Sequence, residues 1–116
     1  MGETLSEFKK IIPILNSSPK ARNLMEAFPR VIQFELDGEE RQFFITIKNG
    51  QMDLKEGVFD NCDILIKGNT KEFAKVVEGK VDVTHPIAQG HITINKGKVS
   101  EMTLLNRILV AIKRRE

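Results

Sequence analysis

A chain of 116 residues, 41% hydrophobic and 29% charged, has the size of one globular domain and leaves no room for two; surface scaling lets such a chain bury about two-thirds of its unfolded surface. The longest uncharged apolar run, Ile108 to Ile112, falls far short of the ~20 residues of a membrane span, and no signal-peptide stretch opens the chain, so membrane insertion and secretion are not expected. A formal charge of +2 is too balanced to favour nucleic acid as a partner.

Thr4 and Glu7 have capping-box spacing, and Leu5, Phe8, Ile12 and Leu15 recur at helical intervals, with Pro13 predicted to stop this first helix near Ile12. Ser18 and Pro19 provide a cap and a first helical residue. Ala21, Leu24, Met25 and Phe28 then fall on one face of a second helix, which Pro29 closes. From residue 31 the period changes to two: Ile32, Phe34 and Leu36 face one way, and Gln33, Glu35 and Asp37 the other. Phe43, Ile45 and Ile47 alternate with Phe44, Thr46 and Lys48, and Asn49-Gly50 is a tight-hairpin signal before Met52 and Leu54. These three strands are predicted to form an antiparallel meander. Cys62, Ile64 and Ile66 repeat the alternation as a fourth strand, and Ile92 and Ile94 form a fifth. Asn69 caps a helix that carries Phe73, Val76 and Val77 and ends at Gly79, and residues 82–89 can add a short helix. The last segment, Glu101 to Arg115, reads as a helix whose stripe of Met102, Leu105, Leu109 and Ile112 is widened by Leu104, Ile108, Val110 and Ala111. The sum is an α+β domain, residues 1–116, with a five-stranded, antiparallel-rich sheet covered on one face by helices.

Reactive chemistry finds little to stand on. Cys62, the only cysteine, alternates with core-facing isoleucines and reads as a small hydrophobe. His85 precedes a proline and His91 starts a strand on its polar face, a spacing that fits no helical ligand pair, so neither a metal nor a cofactor is expected. Gly79-Lys80 and Gly97-Lys98 lack the rest of a phosphate loop, and Asp37, Glu39 and Glu40 read as the solvated turn of a hairpin. Only Phe44 of the seven phenylalanines falls on the polar face of its strand, which argues against base stacking. What stands out is surplus apolar surface in the helices beside strands four and five and at the carboxyl end.

The run Cys62-Asp63-Ile64-Leu65-Ile66-Lys67-Gly68, the helix Thr70 to Val77 ending in Gly79-Lys80, and Gln89-Gly90 leading into His91-Ile92-Thr93-Ile94 resemble the sterol carrier protein family, also called nonspecific lipid-transfer proteins. Phe34 to Gly38 and Ile45 to Gly50 resemble that family's first hairpin, and the likeness spans roughly residues 24–110. It departs in the longer turn from Asn95 to Ser100 and in the ending Arg114-Arg115-Glu116, which is no peroxisomal tripeptide. The resemblance implies a sheet and helices enclosing an apolar tunnel for a fatty acid, acyl-CoA, sterol or phospholipid, with no catalytic residue and, here, a cytoplasmic setting. By face and helix periodicity the candidate lining is Phe43, Ile45, Met52, Phe73, Val76, Val77, Ile87, Ile92, Met102, Leu105 and Leu109. Lys113, Arg114 and Arg115 are candidates for peripheral contact with an anionic membrane. The alternative is an interaction module, a homodimer or an accessory to a lipid-metabolising enzyme, that uses the wide face of the last helix.

Overall fold

Residues 3–112 are described by the computed structural model of the chain. Its elements run α1 (Glu3–Ser17), α2 (Pro19–Glu26), β1 (Arg30–Asp37), β2 (Phe43–Lys48), β3 (Gln51–Glu56), β4 (Ile64–Asn69), α3 (Thr70–Val77), α4 (Thr84–Ala88), β5 (Ile92–Lys96) and α5 (Val99–Leu109). The five strands lie in the order β3-β2-β1-β4-β5. The meander of β1, β2 and β3 is antiparallel as expected, and so is β4 against β5. The central pair, β1 with β4, is parallel, so the sheet is mixed rather than wholly antiparallel. Alternation within single strands carries no information on which strand lies beside which.

The strand faces follow the period of two: Ile32, Phe34, Leu36, Phe43, Ile45, Ile47, Met52, Ile64, Ile66 and Ile92 are all buried beneath the helices. Asn49 and Gly50 take φ of 54° and 71°, the left-handed pair that closes a two-residue hairpin in register with the strand twist. The chain from β3 to β4 must cross β2 and β1, and it does so over the outer sheet face. Gln33 holds it there. Its Nε2 donates to the carbonyls of Phe43 (3.1 Å) and Gly57 (3.0 Å), and its Oε1 accepts the Phe59 N–H at 2.7 Å. Phe59 packs on Phe44 with ring centroids 5.3 Å apart, so the phenylalanine on the polar strand face has an aromatic partner.

Three sequence expectations are corrected. α1 runs through Pro13 to Ser17; Lys9 and Pro13 lie on its exposed side, where water takes the bond that proline cannot donate. Thr4 and Glu7 form no capping box, because Thr4 turns inward to Thr70 while Glu7 pairs with Lys10. α5 ends at Leu109 rather than Arg115. The apolar spacing outlasts the helix because Ala111 and Ile112 still pack on the core after the helix has ended. Residues Lys113, Arg114 and Arg115 lie outside the described residues.

Candidate functional site

The core between the sheet and α1, α2, α3 and α5 contains the whole predicted lining. Phe43, Ile45, Met52 and Ile92 rise from the sheet; Phe73, Val76 and Val77 come from α3, and Met102, Leu105 and Leu109 from α5. These ten are at most 2% exposed. Ile87, on α4, is partly buried against the same cluster. The stripe of α5 is turned inward by the same packing, which leaves Val99, Leu104 and Val110 as its exposed large apolar residues.

The predicted residues divide between two environments. Phe43 and Phe73 belong to an aromatic knot with Phe8 and Phe34. Phe34 stacks on Phe43 at 4.9 Å between ring centroids and meets Phe73 and Phe8 edge-on at 5.3 and 5.4 Å, arrangements that add about 0.5–1.5 kcal/mol per pair beyond area burial. Phe8 and Phe34 were absent from the sequence-derived lining although both lie on inward stripes. Val76, Val77, Ile87, Met102, Leu105 and Leu109 are aliphatic or thioether side chains, which repack at lower cost than rings.

Each environment has its own polar tether. Beyond the end of β1, the Glu39 carboxylate accepts from the backbone N–H groups of Thr4 (3.0 Å) and Leu5 (3.1 Å) and from the Thr70 hydroxyl (2.6 Å). It therefore supplies the anion that the amino end of α1 calls for, and the Thr4 hydroxyl donates to the Thr70 carbonyl at 2.8 Å. At the start of β1, Arg30 donates from Nε to Glu101 at 2.7 Å while its guanidinium lies 4.8 Å from the ring centroid of Phe28. The Arg30 hydrogen bond holds the Glu101 carboxyl below its ordinary range against the opposing pull of burial, assisted by the Lys98 N–H. On the inner side of α5, Asn106 accepts the Val83 N–H at 3.0 Å and donates to Asp82 at 3.2 Å. Asp82 is held below its ordinary range, chiefly by the Thr84 N–H and then by the Thr84 hydroxyl.

Sequence reading missed these tethers. Glu39 reads locally as a solvated turn residue, and Asn106, Gln33 and Asn16 carry no motif in the sequence. Asn16 joins α1 to β3 by donating to the Met52 carbonyl (2.9 Å) and accepting its N–H (2.8 Å). Only Asn106 left a local signal, a carboxamide within an apolar helical stripe. Cys62 is buried, while His85 and His91 are exposed. Among the described residues no group of three or more His, Cys, Asp or Glu could hold a metal.

Two surface depressions lie away from the core. One, of about 330 Å³, is lined by Asn16, Ser17, Arg22 and Glu26 among others; the second, of about 460 Å³, lies over Glu35, Glu39, Arg41 and Lys67. Both are open and polar, and neither includes a residue of the predicted lining.

Residues 8–109 match the model of the SCP-2 sterol transfer family. No curated protein sequence matches significantly. Among solved structures, sterol carrier protein 2 from Yarrowia lipolytica is 21% identical with a TM-score of 0.67, over 88% of this chain and 85% of that one. Palmitated SCP2L2 from Aedes aegypti is 15% identical with a TM-score of 0.65, over 99% and 98%. The stereoselective inverting sec-alkylsulfatase Pisa1 from Pseudomonas sp. is 14% identical with a TM-score of 0.66; 82% of this chain matches 14% of that one.

Proposed function

This chain belongs to the SCP-2 sterol transfer family, and from that premise we propose that it binds and carries one hydrophobic ligand, a fatty acid, acyl-CoA, sterol or phospholipid, in its apolar core without catalysing a reaction. The observation that carries the reading is the family match across residues 8–109, and the palmitated structural relative supports an acyl chain as the first ligand to try. Burial of such a chain is worth about 0.8 kcal/mol per CH₂. The ligand takes the place of side-chain contacts in the aliphatic part of the core, among Val76, Val77, Ile87, Met102, Leu105 and Leu109. Phe43, Ile45, Met52, Phe73 and Ile92 form the wall on the sheet side and towards the aromatic knot.

No described helix is long and apolar enough to cross a membrane. In the proposed cycle the domain works in the cytoplasm and touches anionic membranes through Lys113, Arg114 and Arg115, each adding about 1 kcal/mol near such a surface. Native mass spectrometry of protein from its own cells is expected to find one retained lipid per chain, and a fluorescent fatty acid is expected to titrate to one site. Failure of both overturns carriage.

A second reading is favoured by the likeness to a sec-alkylsulfatase, of whose chain this one spans 14%. There the fold is a small part of a larger protein, and here the exposed Leu104 on α5 and Val110 just past its end would meet a second copy or an enzyme. Mass that rises with concentration, with no lipid bound, would select it.

A further inference from the structure

We propose that the segment from Lys80 to Gln89 is a hinged strap over the aliphatic part of the core and that Asn106 is its latch; the proposal rests on the lipid reading above and names the place where the core opens. The inner side of α5 is apolar at Met102, Leu105, Ile108 and Leu109, and Asn106, 9% exposed, is the polar residue among them. A carboxamide in such a place is stable only when its hydrogen bonds are made. Asn106 makes them to the strap alone: Oδ1 accepts the Val83 N–H and Nδ2 donates to Asp82. Val83 is itself 1% exposed, so its amide, removed from water, depends on that one acceptor.

The strap has little of its own to keep it in place. α4 is five residues long, too short to persist as a helix without tertiary support, and its cap residue makes no side-chain capping bond. Gly79 and Gly90 flank it with φ of 80° each, and a side chain at Gly90 would meet nothing within 4 Å. They are two pivots free of packing constraint on the Gly90 side. Val83 is the strap's member of the core cluster, Val81 and Ile87 pack partly buried against that cluster, and Pro86 is buried. Swinging it out about these pivots withdraws Val81, Val83 and Ile87 from the core cluster, while the sheet, the aromatic knot and the tether at Glu39 stay intact. Two backbone bonds that span the pivots, from the Lys80 N–H to the Lys75 carbonyl and from the His91 N–H to the Pro86 carbonyl, open with it, and the bonds to α5 that break are the two of Asn106.

The test compares the parent protein with Asn106→Leu, which preserves apolar packing, and Asp82→Ala, which removes the exposed half of the latch where folding is not at stake. Stopped-flow uptake of a fluorescent long-chain fatty acid and hydrogen exchange at the Val83 amide are read together. Asn106→Leu is expected to speed both by roughly tenfold, the factor that corresponds to one buried hydrogen bond, and Asp82→Ala by roughly threefold. Equilibrium affinity should move less than either rate, and exchange at the Ile45 amide in β2 should not change. Unaltered uptake in both variants, or exchange that rises equally at Val83 and Ile45, overturns the latch while leaving carriage standing. A parent protein that takes up no probe overturns carriage, and the latch with it.

Discussion

The two ends of β1 support the same helical layer by different means. Around Phe34 four phenyl rings interlock, and past Asp37 the Glu39 carboxylate fastens the first turn of α1 and the start of α3 to the sheet. Around Arg30, the contacts are an exposed-edge ion pair to Glu101, a cation over Phe28, and the aliphatic stripe of α5. Rings have few ways to rearrange, whereas methionine, leucine and valine have several at small cost. The difference teaches that one sequence can combine a rigid aromatic anchor with a more pliable aliphatic region inside a single core.

Mutation at the anchor should give the largest effect. Phe34→Ala is expected to lose about 3–5 kcal/mol, because it removes a ring that touches three others, as read from urea denaturation; a loss below about 1.5 kcal/mol would mean that the knot is as pliable as the rest. Leu105→Ala in the aliphatic region should lie near 2–3 kcal/mol, the low end for its class, because neighbours can relax into the space. If it equals Phe34→Ala, the two halves do not differ. Glu39→Ala removes an acceptor shared by two backbone amides and a hydroxyl and should destabilise by about 1–2 kcal/mol, with hydrogen exchange rising first at Thr4 and Leu5.

The smallest effect is a pH dependence at the Arg30 end. The folded-state pKa of Glu101 is depressed, so the unfolded chain binds its proton more readily and this contribution is fully present above the ordinary glutamate value. It is lost as pH falls below that value and through the folded one. Asp82 acts in the same sense, below the ordinary aspartate value. Stability at pH 6 should therefore exceed stability at pH 3, and Glu101→Gln should flatten part of that slope. A slope that Glu101→Gln leaves unchanged would assign the pH dependence to other carboxylates.

Local pattern was legible wherever the cause was local. The period of two placed Ile32, Phe34, Phe43 and Ile45 on the buried face, Asn49-Gly50 announced its hairpin, and the caps at Ser18 and Asn69 donate no surprise, since their side chains accept from Ala21 and from Lys71 and Glu72. The family resemblance was legible for the same reason, because it was carried by short contiguous runs. Causes distant in the chain were not legible. Glu39 meets partners 31 to 35 residues away, and no window around it contains Thr4 or Thr70. Pro13 misled because its local preference for ending a helix was outweighed by the burial of Leu15 two residues on. The candidate lining was drawn from periodicity, which identifies a buried face and cannot separate the rings that fill it from the aliphatic groups that can give way.

The parallel pairing of β1 with β4 also sets an order of assembly. β1, β2 and β3 pair through short turns, Phe34 with Phe43 and Ile47 with Met52, so the meander can form soon after the chain has left the ribosome that far. Ile32 finds Ile64 only after the crossover pinned by Gln33 has been laid down. Until then the second edge of β1, with Ile32 and Phe34 beside it, offers unpaired amides and carbonyls to any neighbouring chain. The long crossover that gives the mature sheet its centre thus leaves the nascent one with its most adhesive strand uncovered, which makes residues 57–64 the stretch whose delay would turn folding into aggregation.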